Sequence, residues 1–104
     1  MKKLVMAAAL TALAGSAFAD SDGLALAKKS GCTACHGVSN KIVGPGFNDV
    51  AAKYKGNAGA PATLTAKVKS GGSGVWGPVP MPPQAQVKDD DLKTLVTWVL
   101  AGAK

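Results

Sequence analysis

The sequence contains no arginine and no glutamate, a single histidine, two cysteines and only five aromatic residues among its 104 positions. Each shortage removes a class of function. One histidine and two cysteines are too few for a four-ligand zinc centre, and the adjacent Cys35 and His36 rarely reach one tetrahedral ion together. The lysines are not clustered and the few aromatics are not interleaved with them, so nothing reads as nucleic-acid binding. No stretch of useful length alternates apolar with polar residues, which argues against strands, and no internal repeat is present. The one long apolar run, Leu4 to Ala14, is about half of the roughly 20 residues that span a bilayer, so stable membrane insertion is not expected.

That run belongs to an export signal. Lys2 and Lys3 precede it, and Ala17-Phe18-Ala19 ends it with small residues at the two positions signal peptidase reads. Cleavage before Asp20 divides the chain into a signal peptide, residues 1–19, and one mature domain, residues 20–104. In so small a domain an apolar core supplies only about 3–5 kcal/mol, so a staple is expected. A disulfide across the two-residue gap between Cys32 and Cys35 would restrain almost no unfolded-chain entropy, whereas a bound cofactor would do more. The mature chain keeps ten lysines against six aspartates, a mild positive excess. Lys28, Lys29, Lys41 and Lys69 are candidates for steering an acidic partner, although a solvated surface is the favoured explanation of them.

Helical spacing organises most of the mature domain. Leu24, Ala27 and Gly31 share one face of a first helix that runs into the cysteine pair. Phe47, Val50, Ala51 and Tyr54 follow the turn Gly44-Pro45-Gly46 and fit about two turns of helix ending at Gly56. A third helix starts after Pro61, with Leu64 and Val68 four apart, and Gly71 and Gly72 stop it. Residues 71–83 are crowded with glycine and proline and form a shaped loop. The clearest helix is Lys88 to Ala101. Three aspartates suit its N-terminal end, and Leu92, Leu95, Val96, Val99 and Leu100 recur at i, i+3, i+4, i+7 and i+8. The mature domain is expected to be all-α with long loops.

Cys32-Thr33-Ala34-Cys35-His36 is the pattern of covalent haem attachment. Two thiols about one helical turn apart reach the two vinyl groups on one porphyrin edge, and the next residue brings an imidazole to the iron. A thioredoxin-like thiol pair shares the spacing but normally sits in a βαβ setting, and a plain disulfide leaves His36 without a role. Met1 and Met6 leave with the signal, so Met81 is the only thioether of the mature chain. A gap-filling methionine is the ordinary reading of such a residue. Here Pro80, Pro82 and Pro83 stiffen the loop around one presented side chain, which suits a sixth ligand better. With His36 and Met81 on the iron no open position remains, and electron transfer is favoured over catalysis.

These residues resemble the small class I bacterial cytochromes of the c-551 type, also called cytochrome c8, over essentially all of residues 20–104. The resemblance rests on Gly31 to His36, on Val43-Gly44-Pro45 followed by Asp49 to Tyr54, on Gly74 to Pro83, and on Trp98-Val99-Leu100. It implies a class I cytochrome c fold wrapped around one covalently bound haem c with its iron. It further implies that the first and last helices cross near Gly31, against Leu95 and Trp98. By the same resemblance the Pro45 carbonyl accepts a hydrogen bond from His36 Nδ1, and Trp76 donates its indole N–H to a haem propionate. Four departures are visible. Ala27 stands where the family often has phenylalanine, Lys67 where an arginine is commonly associated with a propionate, and Gln84 where an asparagine can contact the methionine sulfur. One extra residue lies between Pro83 and the last helix.

The resulting expectation is a soluble, monomeric periplasmic carrier of single electrons and not an enzyme. Its partners would be redox proteins: a membrane cytochrome complex as donor, and a terminal reductase such as nitrite reductase, or an oxidase, as acceptor. A second reading, a haem sensor or small peroxidase-like enzyme, predicts that Met81 is easily displaced. A third, a thiol oxidoreductase, predicts two cysteines without haem.

Overall fold

The computed structural model describes residues 22–104, and the expected signal peptide, residues 1–19, lies outside them. Among the described residues there are four α-helices: α1 (Asp22–Lys29), α2 (Phe47–Lys53), α3 (Ala60–Ser70) and α4 (Asp89–Leu100). A short 3-10 turn, Cys32–Ala34, follows α1. Extended pairing among the described residues is confined to two isolated bridges, His36 with Lys41 and Gly72 with Met81. The all-α class follows from this arrangement.

The last helix organises the others, packing against α1, α2 and α3. Asp89, Asp90 and Asp91 fill its first turn, where negative charge offsets the exposed N–H groups. Its Leu92, Leu95, Val96 and Trp98 are buried, and Val99 and Leu100 pack against them half-buried. Lys69 near the end of α3 donates to Asp89 at 2.6 Å, joining the two helices at an exposed corner. Beyond α4 the chain folds back. Trp98 Nε1 donates to the Lys104 carbonyl at 3.2 Å, and Ala103 is buried beneath it.

The crossing of α1 with α4 differs from the expectation. The glycine against α4 is Gly23, not Gly31: a β-carbon built on Gly23 would clash with the indole ring of Trp98. Gly31 has open space where a side chain would be. Its φ of 79° shows its actual task, a left-handed turn that ends the α1 segment and redirects the chain into the cysteines. Consequently the buried face of α1 is Gly23 and Ala27, one turn apart. Ala27 is fully buried in the core that includes Phe47, Leu95 and Trp98, so no solvent-filled gap stands in place of a larger side chain.

A candidate haem cleft

Among the described residues a deep apolar cleft of about 350 Å³ lies between the cysteine turn, α2, α3, α4 and the loop 71–83. Its wall includes all six residues singled out from the sequence: Cys32, Cys35, His36, Pro45, Trp76 and Met81. A broader depression between Tyr54–Pro61 and Leu100–Gly102 is open and holds none of them.

The floor is built by a tightly wound loop. The Cys35 carbonyl accepts from the N–H groups of both Val43 and Gly44, at 3.0 and 2.8 Å. Phe47 and Asn48, entering α2, donate to Gly37 and Val38 at 2.9 Å each. This stitching brings Pro45 back over His36, whose Nδ1 donates to the Pro45 carbonyl at 2.7 Å. A carbonyl only accepts, so Nδ1 carries a proton, and in the neutral ring the lone pair is then on Nε2. Space around the ring is tight: a β-carbon on Gly44 would lie 2.5 Å from His36 Cε1. Phe47, 7 % exposed, stacks on the imidazole with centroids 5.2 Å apart and planes 20° apart. Phe47 in turn meets Trp98 edge-on at 5.3 Å. By spacing alone Phe47 is only a helical position, and nothing local in the sequence signals the stack.

Both cysteines are free and half-buried. Burial pushes the Cys32 thiol above its ordinary value; the neighbouring Cys35 adds to the rise, and a backbone hydrogen bond opposes it.

Met81 is held by backbone rather than by a side chain. Its N–H donates to the Gly72 carbonyl at 2.7 Å, and the Gly72 N–H returns the bond to the Met81 carbonyl at 3.1 Å. Three residues on, Gln84 N–H donates to Val68 in α3 at 2.9 Å. The Gln84 side chain turns away to the Pro82 carbonyl and accepts from Gln86, so it is committed locally. Trp76, 43 % exposed, lies at the rim with Lys53 Nζ 5.3 Å from its ring centroid. Lys67 also lines the cleft, its ammonium against Gly72. Among the described residues neither the Trp76 indole N–H nor the Lys67 ammonium has a hydrogen-bond or ion-pair partner.

Two thiols, an imidazole nitrogen and a thioether around one apolar cavity suit a flat, apolar macrocycle with a metal at its centre, and that chemistry defines a c-type cytochrome. The cytochrome c family profile matches residues 21–103, and the chain belongs to this family. It is 57 % identical to cytochrome c-551 of Allochromatium vinosum, over 91 % of this chain and 98 % of that one. It is 53 % identical to cytochrome c-551 of Pseudomonas aeruginosa, over 88 % of this chain and 86 % of that one. The fold superimposes on the crystal structure of Nitrosomonas europaea cytochrome c552 with a TM-score of 0.74 and 49 % identity, covering 76 % of this chain and 98 % of that one. These likenesses identify a class I monohaem electron carrier, not an enzyme, whose family carries covalently bound haem c. Cys32 and Cys35 fit the attachment motif. No helix among the described residues is long and apolar enough to cross a membrane.

Proposed function

We propose that the chain is exported with loss of residues 1–19 and works in the periplasm as a single-electron carrier, its haem attached at Cys32 and Cys35 and ligated by His36 and Met81. The observation that carries this reading is the convergence of those four side chains on one apolar cleft. Bound there, haem iron supplies a one-electron couple. Each thiol would add across a vinyl group, its sulfur bonding one carbon and its hydrogen passing to the other. His36 is prepared to ligate because Pro45 holds the proton on Nδ1. Met81 contributes a soft sulfur that favours the reduced metal and raises the potential relative to a harder ligand. Trp76 and Lys67 offer N–H groups at the rim that suit propionate oxygens.

The same rim supports transfer to other redox proteins. Val43, Val75, Trp76 and Val79 all line the cleft and are exposed, an apolar border across which a partner can approach the cofactor edge. A membrane cytochrome complex as donor and a terminal reductase, such as nitrite reductase, or an oxidase as acceptor fit this role.

Expression with the signal intact in a host that attaches haem, followed by intact mass and redox titration, tests the reading. The expected product begins at Asp20 and carries one haem. Met81→Ala should lower the potential and open the iron to azide, and an unchanged spectrum in both redox states would remove Met81 from the ligand set.

A further inference from the structure

We propose that Phe47 is a positioning residue for His36, fixing the plane of the imidazole; the inference rests on, and deepens, the axial role given to His36 above. The hydrogen bond from Nδ1 to Pro45 fixes one atom of the ring, and Gly44 closes on its Cε1 edge, but neither contact lies along a face of the ring to set its plane. Stacking supplies the missing restraint. The Phe47 ring lies within 20° of parallel to the imidazole at a centroid separation of 5.2 Å, inside the range of offset aromatic pairs.

Phe47 is itself immobile enough to serve. It is buried, it meets Trp98 edge-on at 5.3 Å, and its N–H donates to Gly37, the residue after His36. Trp98 is in turn backed by Gly23. The imidazole plane is therefore referenced to the α1–α4 crossing through a column of rings. The plane of an axial imidazole governs how its π orbitals overlap the metal d orbitals, and so the spin distribution of the ferric state and the potential. A residue that merely filled the core would have no such effect.

The chain has one histidine, so selective ¹⁵N-histidine labelling reports on His36 alone. The test compares ferric NMR spectra and potentials of the haem-loaded wild type, Phe47→Leu and Phe47→Tyr. Val87→Ala, a core truncation away from the cleft, controls for general loosening. Phe47→Leu should retain haem by mass while its paramagnetically shifted histidine signals move or broaden and its potential changes. Phe47→Tyr should restore the wild-type pattern, and Val87→Ala should lose stability without altering it. If Phe47→Leu does not accumulate with haem, Phe47→Ile is read in the same way. Signals and potential that coincide with wild type in the Phe47 variants, or that move equally in Val87→Ala, overturn the proposal alone. A wild-type protein without any shifted histidine signal removes the ligation by His36 and the proposal with it.

Discussion

Gly23 of α1 lies directly against the indole of Trp98 in α4, with no room between them for a single β-carbon. Two effects oppose each other in Gly23→Ala. Alanine is the better helix former by about 1 kcal/mol, but forcing a methyl into a packed contact costs about 1–3 kcal/mol. The contact is with a buried ring and dominates, so a net loss of stability is expected. Gly31→Ala meets no neighbour and loses only the left-handed turn, about 1–2 kcal/mol. Denaturant midpoints check both. Trp98→Leu should spare Gly23→Ala most of its cost while leaving Gly31→Ala unaffected.

Gly71 controls the seating of Met81. Its φ of 72° and ψ of −172° belong to a region that only glycine adopts readily, and a β-carbon there would lie 2.5 Å from the Met81 carbonyl. Strain of about 1–3 kcal/mol should loosen the 72–81 bridge. The measurable consequence is azide or imidazole binding to the ferric protein strengthened by roughly tenfold or more in Gly71→Ala, since tenfold corresponds to about 1.4 kcal/mol. Equal affinities in variant and wild type would show that Met81 is held by something other than this bridge.

The Lys69–Asp89 pair looks well made at 2.6 Å but sits in water, with both side chains at least half exposed. Exposed pairs contribute about 0–1 kcal/mol and are screened by salt. Lys69→Ala should change stability by less than about 1 kcal/mol at low ionic strength, and the difference should shrink in molar salt.

Before haem is attached, burial holds the Cys32 thiol in its protonated form. The sign for stability follows. A thiol whose value is raised in the folded chain contributes fully below the ordinary thiol range and loses that contribution as pH climbs through the raised value. The unattached fold should weaken at alkaline pH, and Cys32→Ser should remove that part of the loss. At a pH near 8, iodoacetamide should modify Cys32 more slowly in the native chain than in urea.

Much of this arrangement can be read from residue spacing. The helix expected over Lys88–Ala101 matches α4 to within a residue at each end, because the aspartates mark its start and the apolar repeat from Leu92 to Leu100 coincides with the buried stripe. Cys32, Cys35 and His36 are local in sequence and stay together in space. What spacing could not reveal depends on distant backbone. Gly23 lies in the first turn of α1 and Gly31 just beyond its end, and only the direction of α4 shows which of the two touches it. The pairing of Gly72 with Met81 crosses a loop with no periodic pattern to register. The stack of Phe47 on His36 exists because the loop between them is wound back on itself by hydrogen bonds that leave no trace in residue type.

The two reciprocal bonds between Gly72 and Met81 close residues 73–80 into a ring tied at its neck. Position 81 thereby takes its coordinates from the end of α3, and the outer arc is closed separately by the bond from Gly74 N–H to the Gly77 carbonyl at 2.8 Å. A change at the end of α3 is thus transmitted to position 81 through two backbone bonds, whereas a change within the arc acts on the cleft directly, through the wall that Val75, Trp76 and Val79 supply.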